Sequence, residues 1–215
     1  MIRPFPLLLL LASCGPLVTI GASGPRAESL LTLSAEPAAP VSDAESPDIG
    51  LDMANAVAVE TPAVPGALQT LRIPVHVSDT EIRYVPVAQW SEQPSRLFRQ
   101  LLADRLAADG VAVVDLRSSG RMPGRRLTGQ LLAFGVDVRG GQRVRVRYDA
   151  TLADGQGIRQ RRFEAEEPLA TVDGGSVAAA LNRAANRLAG DVSGWARATP
   201  AGVPGSVLDR GSDGR

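Results

Sequence analysis

The chain has 215 residues, of which 44% are hydrophobic, 21% charged and 4% aromatic, which is typical of one globular domain with an aliphatic core. All 23 basic residues are arginine and they balance 23 acidic residues, so the chain has no net attraction to nucleic acid. The absence of lysine excludes P-loop and Schiff-base lysines, and a single histidine with a single cysteine excludes a His/Cys zinc site and a disulfide framework within one chain.

The N-terminus has the features of an export signal. Arg3 supplies a positive charge, and the leucine run over residues 7–11 is far shorter than the roughly 20 apolar residues that span a bilayer. The run ends at Leu11-Ala12-Ser13-Cys14, which contains the sole cysteine and resembles the lipobox of bacterial lipoprotein precursors. The alternatives are a secretory signal cut at a later small residue and a buried structural cysteine.

The lipobox resemblance implies a signal peptide over residues 1–13 and a diacylglycerol thioether, with an additional N-acyl chain such as palmitate, on Cys14. Gly15 follows the cysteine, and the absence of Asp at that position implies sorting to the outer membrane rather than the inner one, with the protein facing the periplasm. Residues 14–27 then form a lipidated tether, of which 15–27 can extend at most about 40 Å.

The first half of the mature chain contains short extended segments. The pattern predicts a strand at 28–33, a flexible loop over 35–55 that is rich in Ala, Pro, Ser and acidic residues, and a strand at 56–60. A further strand is expected at 68–77. Since Pro74 cannot donate a backbone hydrogen bond, this strand should lie at a sheet edge or contain a bulge.

A helix is predicted after a short extended run at 81–85. Apolar residues recur at helical spacing over 94–109, and Pro94 suits the first turn. Gly110 suits the position just past the helix end, and a strand is expected next at 111–116.

An antiparallel meander is predicted beyond a basic loop at 118–126. Two glycine-containing turns separate its three strands, which is a hairpin signal. The strands are expected at 127–139, 143–153 and 158–167.

The last predicted helix begins after Asp173, which can cap it, and buries apolar residues up to Trp195. Residues 198–215 are rich in Gly, Pro and Ser and are expected to be disordered. The elements together predict a single α/β domain over 28–197, with a mixed, largely antiparallel sheet packed by two main helices.

Several segments in chain order indicate a family. They are Leu30-Leu31-Thr32-Leu33, Arg83-Tyr84, Gln89-Trp90, Pro94 with Leu97 and Leu101, Arg162-Phe163-Glu164-Ala165, and the alanine-rich helix over 178–195. Their order and spacing, with the lipobox in front, resemble the ABC-type transport auxiliary lipoprotein component family, whose members accompany MCE-domain (mammalian cell entry) lipid transporters.

This resemblance implies a non-enzymatic, periplasm-facing partner of an MCE-domain protein and of the permease and ATPase of the same ABC system. Such a system moves lipids or other hydrophobic compounds between the two membranes. The alternative function is that of a structural envelope lipoprotein that scaffolds an outer-membrane complex. Neither function implies a cofactor beyond the covalent lipid on Cys14, and the sequence leaves open whether the chain forms a homo-oligomer.

The stretch from residue 117 to residue 162 is strongly basic. Because strand side chains alternate, Arg143, Arg145 and Arg147 share one sheet face, where their guanidinium groups could bind an acidic protein surface or lipid headgroups. The alternative is a solvated face that is partly neutralised by acidic residues of a neighbouring strand, namely Glu164, Glu166 and Glu167.

Other candidate side chains are aromatic or titratable. Tyr84 and Trp90 lie beside the entry to the first helix, where they either line an apolar groove or pack the helix against the sheet. His76 has no set of partners for a metal and is expected to pack within its strand. The acidic residues over 164–167 do not specify two carboxylates facing one cleft, so neither a catalytic residue nor a metal site is expected.

Overall fold

The computed structural model of the chain describes residues 29–36, 52–115 and 122–198. Several sequence predictions therefore lie outside the described residues. They concern the signal peptide at 1–13, the lipidated Cys14 with its tether, most of the loop at 35–55, and all but the first residue of the tail at 198–215.

A mixed sheet with two helices on one face makes up the described structure. The strands are β1 (Ser29–Leu31), β2 (Val57–Val59), β3 (Arg72–His76), β4 (Ile82–Trp90), β5 (Arg125–Asp137), β6 (Arg143–Asp154) and β7 (Gly157–Pro168), and the helices are α1 (Pro94–Ala108) and α2 (Gly174–Arg197).

The strand order is β1-β4-β3-β5-β6-β7, with β2 pairing with β5 beside this path. The pairs β3/β4, β5/β6 and β6/β7 are antiparallel, whereas β1/β4, β3/β5 and β2/β5 are parallel. The predicted fold class, a single α/β domain with a mixed sheet and two helices, is confirmed.

The meander of β5, β6 and β7 is the largest part of the sheet and follows the predicted hairpin pattern. Along β6, buried and half-buried side chains alternate over most of the strand, as expected when one face packs on the core. The turn into β6 contains Gly141 at a φ of 113°, a backbone conformation that glycine adopts without steric cost.

Both helices pack on the same face of this sheet. Tyr148 and Phe163 are directly opposite each other on β6 and β7 and therefore share a face. Phe98 of α1 contacts Tyr148 at a ring-centroid distance of 5.2 Å, and Trp195 of α2 contacts Phe163 at 5.6 Å. We call the side that carries the helices the inner face and the opposite side the outer face.

Strand β3 resolves the two alternatives for Pro74. The strand lies between β4 and β5, so the edge interpretation is wrong, and a register shift between Arg72 and Pro74 confirms the bulge interpretation. On the neighbouring strand, a Cβ atom at Gly135 would lie 2.4 Å from the Pro74 carbonyl oxygen. Only glycine allows the two backbones to approach this closely.

Strand β4 extends beyond the predicted run at 81–85 and reaches Trp90. Its alternation breaks at Val87, which has a φ of 57°. Val85 is buried on the inner face, and the next buried residues are Ala88 and Trp90, so the inward positions change from odd to even numbers. The register agrees with a bulge, since two steps along β3 from Pro74 to Arg72 oppose five steps along β4 from Tyr84 to Gln89, and an odd number of extra residues shifts all later side chains to the other face.

Both helices begin and end close to where the sequence predicts. Pro94 is in the first turn of α1, and after its last turn the Gly110 amide donates to the Ala107 carbonyl while the Val111 amide donates to the Leu106 carbonyl. This pair of bonds is a Schellman motif, and Gly110 adopts the required positive φ of 81°. At the start of α2, the Asp173 carboxylate accepts a hydrogen bond from the Ser176 amide at 2.9 Å.

Two predicted boundaries are wrong. The expected strand at 111–116 is reduced, within the described residues, to a single parallel bridge between Val57 and Val113, on the edge of the three-residue strand β2 that does not pair with β5. Arg125 belongs to β5 rather than to a basic loop at 118–126. Its buried guanidinium donates to the Ala196 carbonyl near the C-terminal end of α2, where a cation is electrostatically favourable.

Candidate functional site

Arg143, Arg145 and Arg147 lie on the outer face of β6, as the alternation predicts. Arg145 lies directly opposite Glu166 of β7, and Arg147 lies opposite Glu164. The Arg145 Nε atom is 2.6 Å from a Glu164 oxygen and 2.9 Å from a Glu166 oxygen. Each arginine therefore has a carboxylate partner within the chain, and we call these five side chains the arginine–glutamate ladder.

The ladder is partly shielded from solvent rather than fully exposed. Arg147 donates two hydrogen bonds from Nη2 to Glu164, at 3.1 and 3.2 Å, and the Arg143 Nε atom is 3.3 Å from Glu166. This arrangement is the neutralised sheet face that the sequence left as an alternative. A contact with an acidic partner or a headgroup stays a prediction, because such a partner would have to compete with these intramolecular carboxylates.

Glu167 does not join the ladder, although the sequence groups it with Glu164 and Glu166. It lies one residue further along β7 and therefore points to the inner face, opposite Val144. There the Arg187 Nη1 atom of α2 donates to a Glu167 oxygen at 2.5 Å. This ion pair thus connects α2 to the edge strand β7.

Asp137, at the end of β5, is the most enclosed acidic group near the ladder. Its side chain is 3% exposed, and the Arg139 Nη2 atom donates to it at 2.7 Å. The Arg145 Nη1 atom lies 3.7 Å away, so the aspartate links the ladder to the turn that follows β5. Hydrogen bonds from Arg139 hold the pKa of Asp137 well below its usual range, and the carboxylate is ionised at neutral pH.

His76 lies beside this cluster, opposite Asp137 in the parallel register of β3 and β5. Burial lowers the pKa of His76, and the positive charge of Arg139 acts in the same direction. The imidazole is therefore neutral at pH 7. Its position within strand β3 agrees with the packing role expected from the sequence.

The structure does not bring Tyr84 and Trp90 together, which corrects the expectation that both line one groove or one helix contact. Trp90 is buried on the inner face, with its ring centroid 5.3 Å from that of Phe134. Tyr84 is half-buried on the outer face, where the Arg72 guanidinium lies 4.1 Å from its ring centroid. The bulge at Val87 separates them, because it changes the inward-facing parity between the two positions.

A groove of about 900 Å³ runs along α1 between the segment 32–35 and strand β2. Leu97 and Leu101 contribute apolar surface to it, but charged groups of both signs line it as well. The charged lining residues are Glu60, Glu92, Arg96, Arg99, Asp104 and Asp115. Because lipid-binding sites are predominantly apolar, this lining does not by itself identify a lipid site.

Two asparagines of α2 hold the extended segment that follows β1. The Ser34 amide donates to Asn182 Oδ1 at 2.9 Å, and the Glu36 amide donates to Asn186 Oδ1 at 2.8 Å. Extended residues two apart are separated by about 6.6 Å and helical residues four apart by about 6 Å, so the two spacings match. Asn186 also donates to the Ser34 carbonyl at 2.8 Å.

Comparison with models of protein families identifies the family of this chain. The family model described as ABC-type transport auxiliary lipoprotein component matches residues 31–193. The chain belongs to this family. The resemblance inferred from the sequence motifs is therefore confirmed, and the match runs from the end of β1 to Ser193, about one turn before the end of α2.

Solved structures share the fold of this auxiliary lipoprotein component at low sequence identity. A crystal structure of a Xanthomonas campestris protein of the DUF330 family superposes with a TM-score of 0.57 at 20% identity, covering 65% of this chain and 81% of that one. An uncharacterised protein superposes with a TM-score of 0.58 at 16% identity, covering 66% and 92%. No curated protein sequence gives a significant match.

A metal site and a membrane-spanning helix are both absent from the described residues of the auxiliary lipoprotein component. Within 29–36, 52–115 and 122–198, no group of His, Cys, Asp and Glu side chains is placed to hold a metal ion. No helix in the same ranges is long and apolar enough to cross a membrane. Of the basic stretch, Arg117 and Arg121 lie outside the described residues.

Sequence analysis missed two polar residues that organise the auxiliary lipoprotein component. Asp137 ends an otherwise apolar run of β5, and Asn186 lies on the buried side of α2. A polar side chain at a position that periodicity assigns to the core is the signal that could have identified both. The partners of Asn186 could not be identified, because Ser34 and Glu36 lie about 150 residues earlier in the sequence, whereas the main partner of Asp137 is the nearby Arg139.

We expect Asn186→Ala to release the segment over 32–36, since the substitution leaves the Glu36 amide and the Ser34 carbonyl without their partner. The loss of these bonds should lower the free energy of unfolding by about 1–3 kcal/mol. Hydrogen exchange should accelerate at the Ser34 and Glu36 amides. Asn182→Ala is the matched control, because it removes the side-chain bond to the Ser34 amide alone. Unchanged exchange in Asn186→Ala would show that other contacts hold the segment.

Proposed function

We propose that this protein is a lipid-anchored, periplasm-facing auxiliary component of an MCE-type ABC system that moves lipids or other hydrophobic compounds between the inner and outer membranes. The observation that carries the proposal is the family match over residues 31–193, preceded in the sequence by a lipobox whose Cys14 is the sole cysteine. Because the lipobox-like segment precedes a domain of this family, the lipid anchor and the domain are proposed to serve the same transport role.

The lipid anchor keeps the domain attached to one membrane. A diacylglycerol thioether with an N-acyl chain buries many methylene groups, at about 0.8 kcal/mol each, which makes membrane attachment effectively permanent. Gly15, in place of Asp, supports retention at the outer membrane. The segment between Cys14 and Ser29 then limits how far the domain can move from that membrane.

The proposed role is non-catalytic. The chain has no lysine and therefore no P-loop lysine, so ATP hydrolysis would be performed by the ATPase of the system. The Asp137 carboxylate beside His76 is engaged by Arg139 and Arg145, which favours an ion-pair role over acid–base chemistry. The expected partners are an MCE-domain protein and the ABC permease and ATPase.

Palmitate labelling of the wild type and of Cys14→Ser tests the anchor. The wild type should incorporate label and fractionate with the outer membrane, whereas Cys14→Ser should lose the label and no longer fractionate with the outer membrane. Equal labelling of the two proteins, or a wild type found only in the soluble fraction, would contradict lipidation at Cys14.

Crosslinking of the lipidated wild type in cells tests the transport role separately. We expect capture of an MCE-domain protein or an ABC permease. Capture of structural outer-membrane proteins alone would instead favour the scaffold function. This result does not depend on which membrane holds the anchor, so it tests the identity of the partner independently of the localisation.

A further inference from the structure

The outer face of the sheet has two halves of different chemistry. The half formed by β5, β6 and β7 holds the arginine–glutamate ladder and a further pair in which Arg162 donates to Asp149 at 2.7 Å. The half formed by β4 and β1 holds exposed apolar side chains instead. We call the latter the apolar half, defined by Leu30, Ile82, Tyr84 and Val87.

Large side chains of the apolar half are open to solvent in the described structure. Leu30 is 63% exposed, Val87 is 65% exposed and Ile82 is 42% exposed. The bulge at Val87 accounts for part of this surface, since it turns Val87 outward while Ala88 and Trp90 enter the core. The register places Leu30 beside Gln89, two residues from Val87, so these two exposed side chains are near each other, and neighbouring exposed apolar side chains mark a surface that contacts another body.

The rim of the apolar half has the chemistry of a membrane interface. Arg72, on the adjoining strand β3, is exposed and places its guanidinium over the Tyr84 ring. Tyrosine and arginine beside apolar side chains are favoured where a protein meets the headgroup region of a bilayer. The ladder half lacks this combination, because its charges are already paired across strands.

The chain enters the domain at this half of the sheet. Leu30 lies in β1, whose parallel register places Ser29 beside Ala88 and Leu30 beside Gln89. The segment between Cys14 and Ser29 therefore leads from the proposed lipid directly to the apolar half, whereas Ile158 lies on β7 at the opposite edge of the sheet. The anchor is therefore attached on the side of the sheet that holds the apolar half.

We propose that the apolar half of the outer face rests on the lipid bilayer in which Cys14 is anchored, with Leu30 and Val87 reaching the headgroup region and Arg72 facing phosphates. This inference rests on the proposed lipidation of Cys14. The contact orients the domain, so that the helices, which lie on the inner face, point away from the membrane surface.

Thiol accessibility tests the contact on the full mature chain. Acylation removes the only native thiol, so an introduced cysteine is the sole reactive one. Leu30→Cys and Val87→Cys report on the apolar half, and Ile158→Cys, at a position that is 70% exposed, is the matched control. Each variant is lipidated, reconstituted into phosphatidylethanolamine/phosphatidylglycerol vesicles and alkylated with a water-soluble maleimide. The same variants of an unlipidated chain that begins at position 14 with Cys14→Ser, free in solution, give the reference rates.

We expect alkylation at positions 30 and 87 to slow several-fold in the vesicles relative to solution, with little change at position 158. Equal rates in both states, with the lipid verified by mass spectrometry, would overturn the membrane contact and leave the proposed function intact. Absence of the lipid would overturn the proposed anchor and this inference with it. If alkylation at positions 30 and 87 were slowed just as much in the unlipidated variants, and more strongly at higher protein concentration, the apolar half would contact a second copy of the chain. That result would also overturn the proposal.

Discussion

Trp90→Ala is expected to lower the free energy of unfolding by about 3–5 kcal/mol, the largest effect of any single substitution considered. The Trp90 side chain is 0% exposed. Its ring contacts Phe134, which in turn lies 6.4 Å from Phe98 of α1 between ring centroids. The truncation would leave a cavity where the sheet meets the first helix. Because single domains are stabilised by only about 5–15 kcal/mol, this loss is a large share of the total.

Tyr84→Ala is the control, since the two aromatic residues lie on opposite faces of the same strand. Tyr84 is half-buried and contacts Arg72, so its removal should cost about 1 kcal/mol. Chemical denaturation of both variants, monitored by circular dichroism, measures the difference. Equal losses in the two variants would show that Tyr84 also belongs to the core and that the bulge at Val87 does not separate them.

Simultaneous replacement of Arg143, Arg145 and Arg147 by glutamate is expected to destabilise the sheet. The new side chains would face Glu164 and Glu166 on β7, and position 145 would also face Asp137. Like charges opposite each other repel, and we expect a loss on the order of 3 kcal/mol for the three positions. Loss of partner capture by this variant alone would therefore not distinguish a binding role from a folding role.

A five-residue charge swap separates the two roles. Adding Glu164→Arg and Glu166→Arg to the triple variant restores opposite charges across β6 and β7, and most of the lost stability should return. If Arg143, Arg145 and Arg147 bind an acidic partner, the stable swap variant should still fail to capture it in a crosslinking assay. A swap variant that captures the partner as well as the wild type would show that the three arginines serve the sheet alone.

Local sequence signals were sufficient for much of the fold. The Gly110 and Asp173 positions correctly marked helix boundaries, because a positive φ and a carboxylate cap are requirements of the backbone nearby. The three strands of the meander were predicted to within a few residues, since glycine-containing turns and alternating side chains act over short distances. Pro74 was correctly associated with a bulge for the same local reason.

Pairing between distant segments was not predictable in this way. The run at 111–116 has the composition of a strand, yet it meets only the three-residue strand β2, and one bridge at Val113 forms in the described residues. Arg125 was assigned to a loop because its buried partner, the Ala196 carbonyl, is far away in sequence. The partners of Asn186 were missed for a similar reason, because Ser34 and Glu36 lie about 150 residues earlier in the sequence.

The sequence by itself determined the fold class, the family and the hypothesis of a lipid anchor at Cys14, because composition, local periodicity and a short motif are properties of adjacent residues. Only the tertiary structure decided which side chains share a surface. It placed Tyr84 and Trp90 on opposite faces, paired the arginines of β6 with Glu164 and Glu166, and left an apolar half beside β1. The physical reason is that an odd number of extra residues in a strand reverses the direction of every later side chain, while register joins residues that the sequence keeps apart.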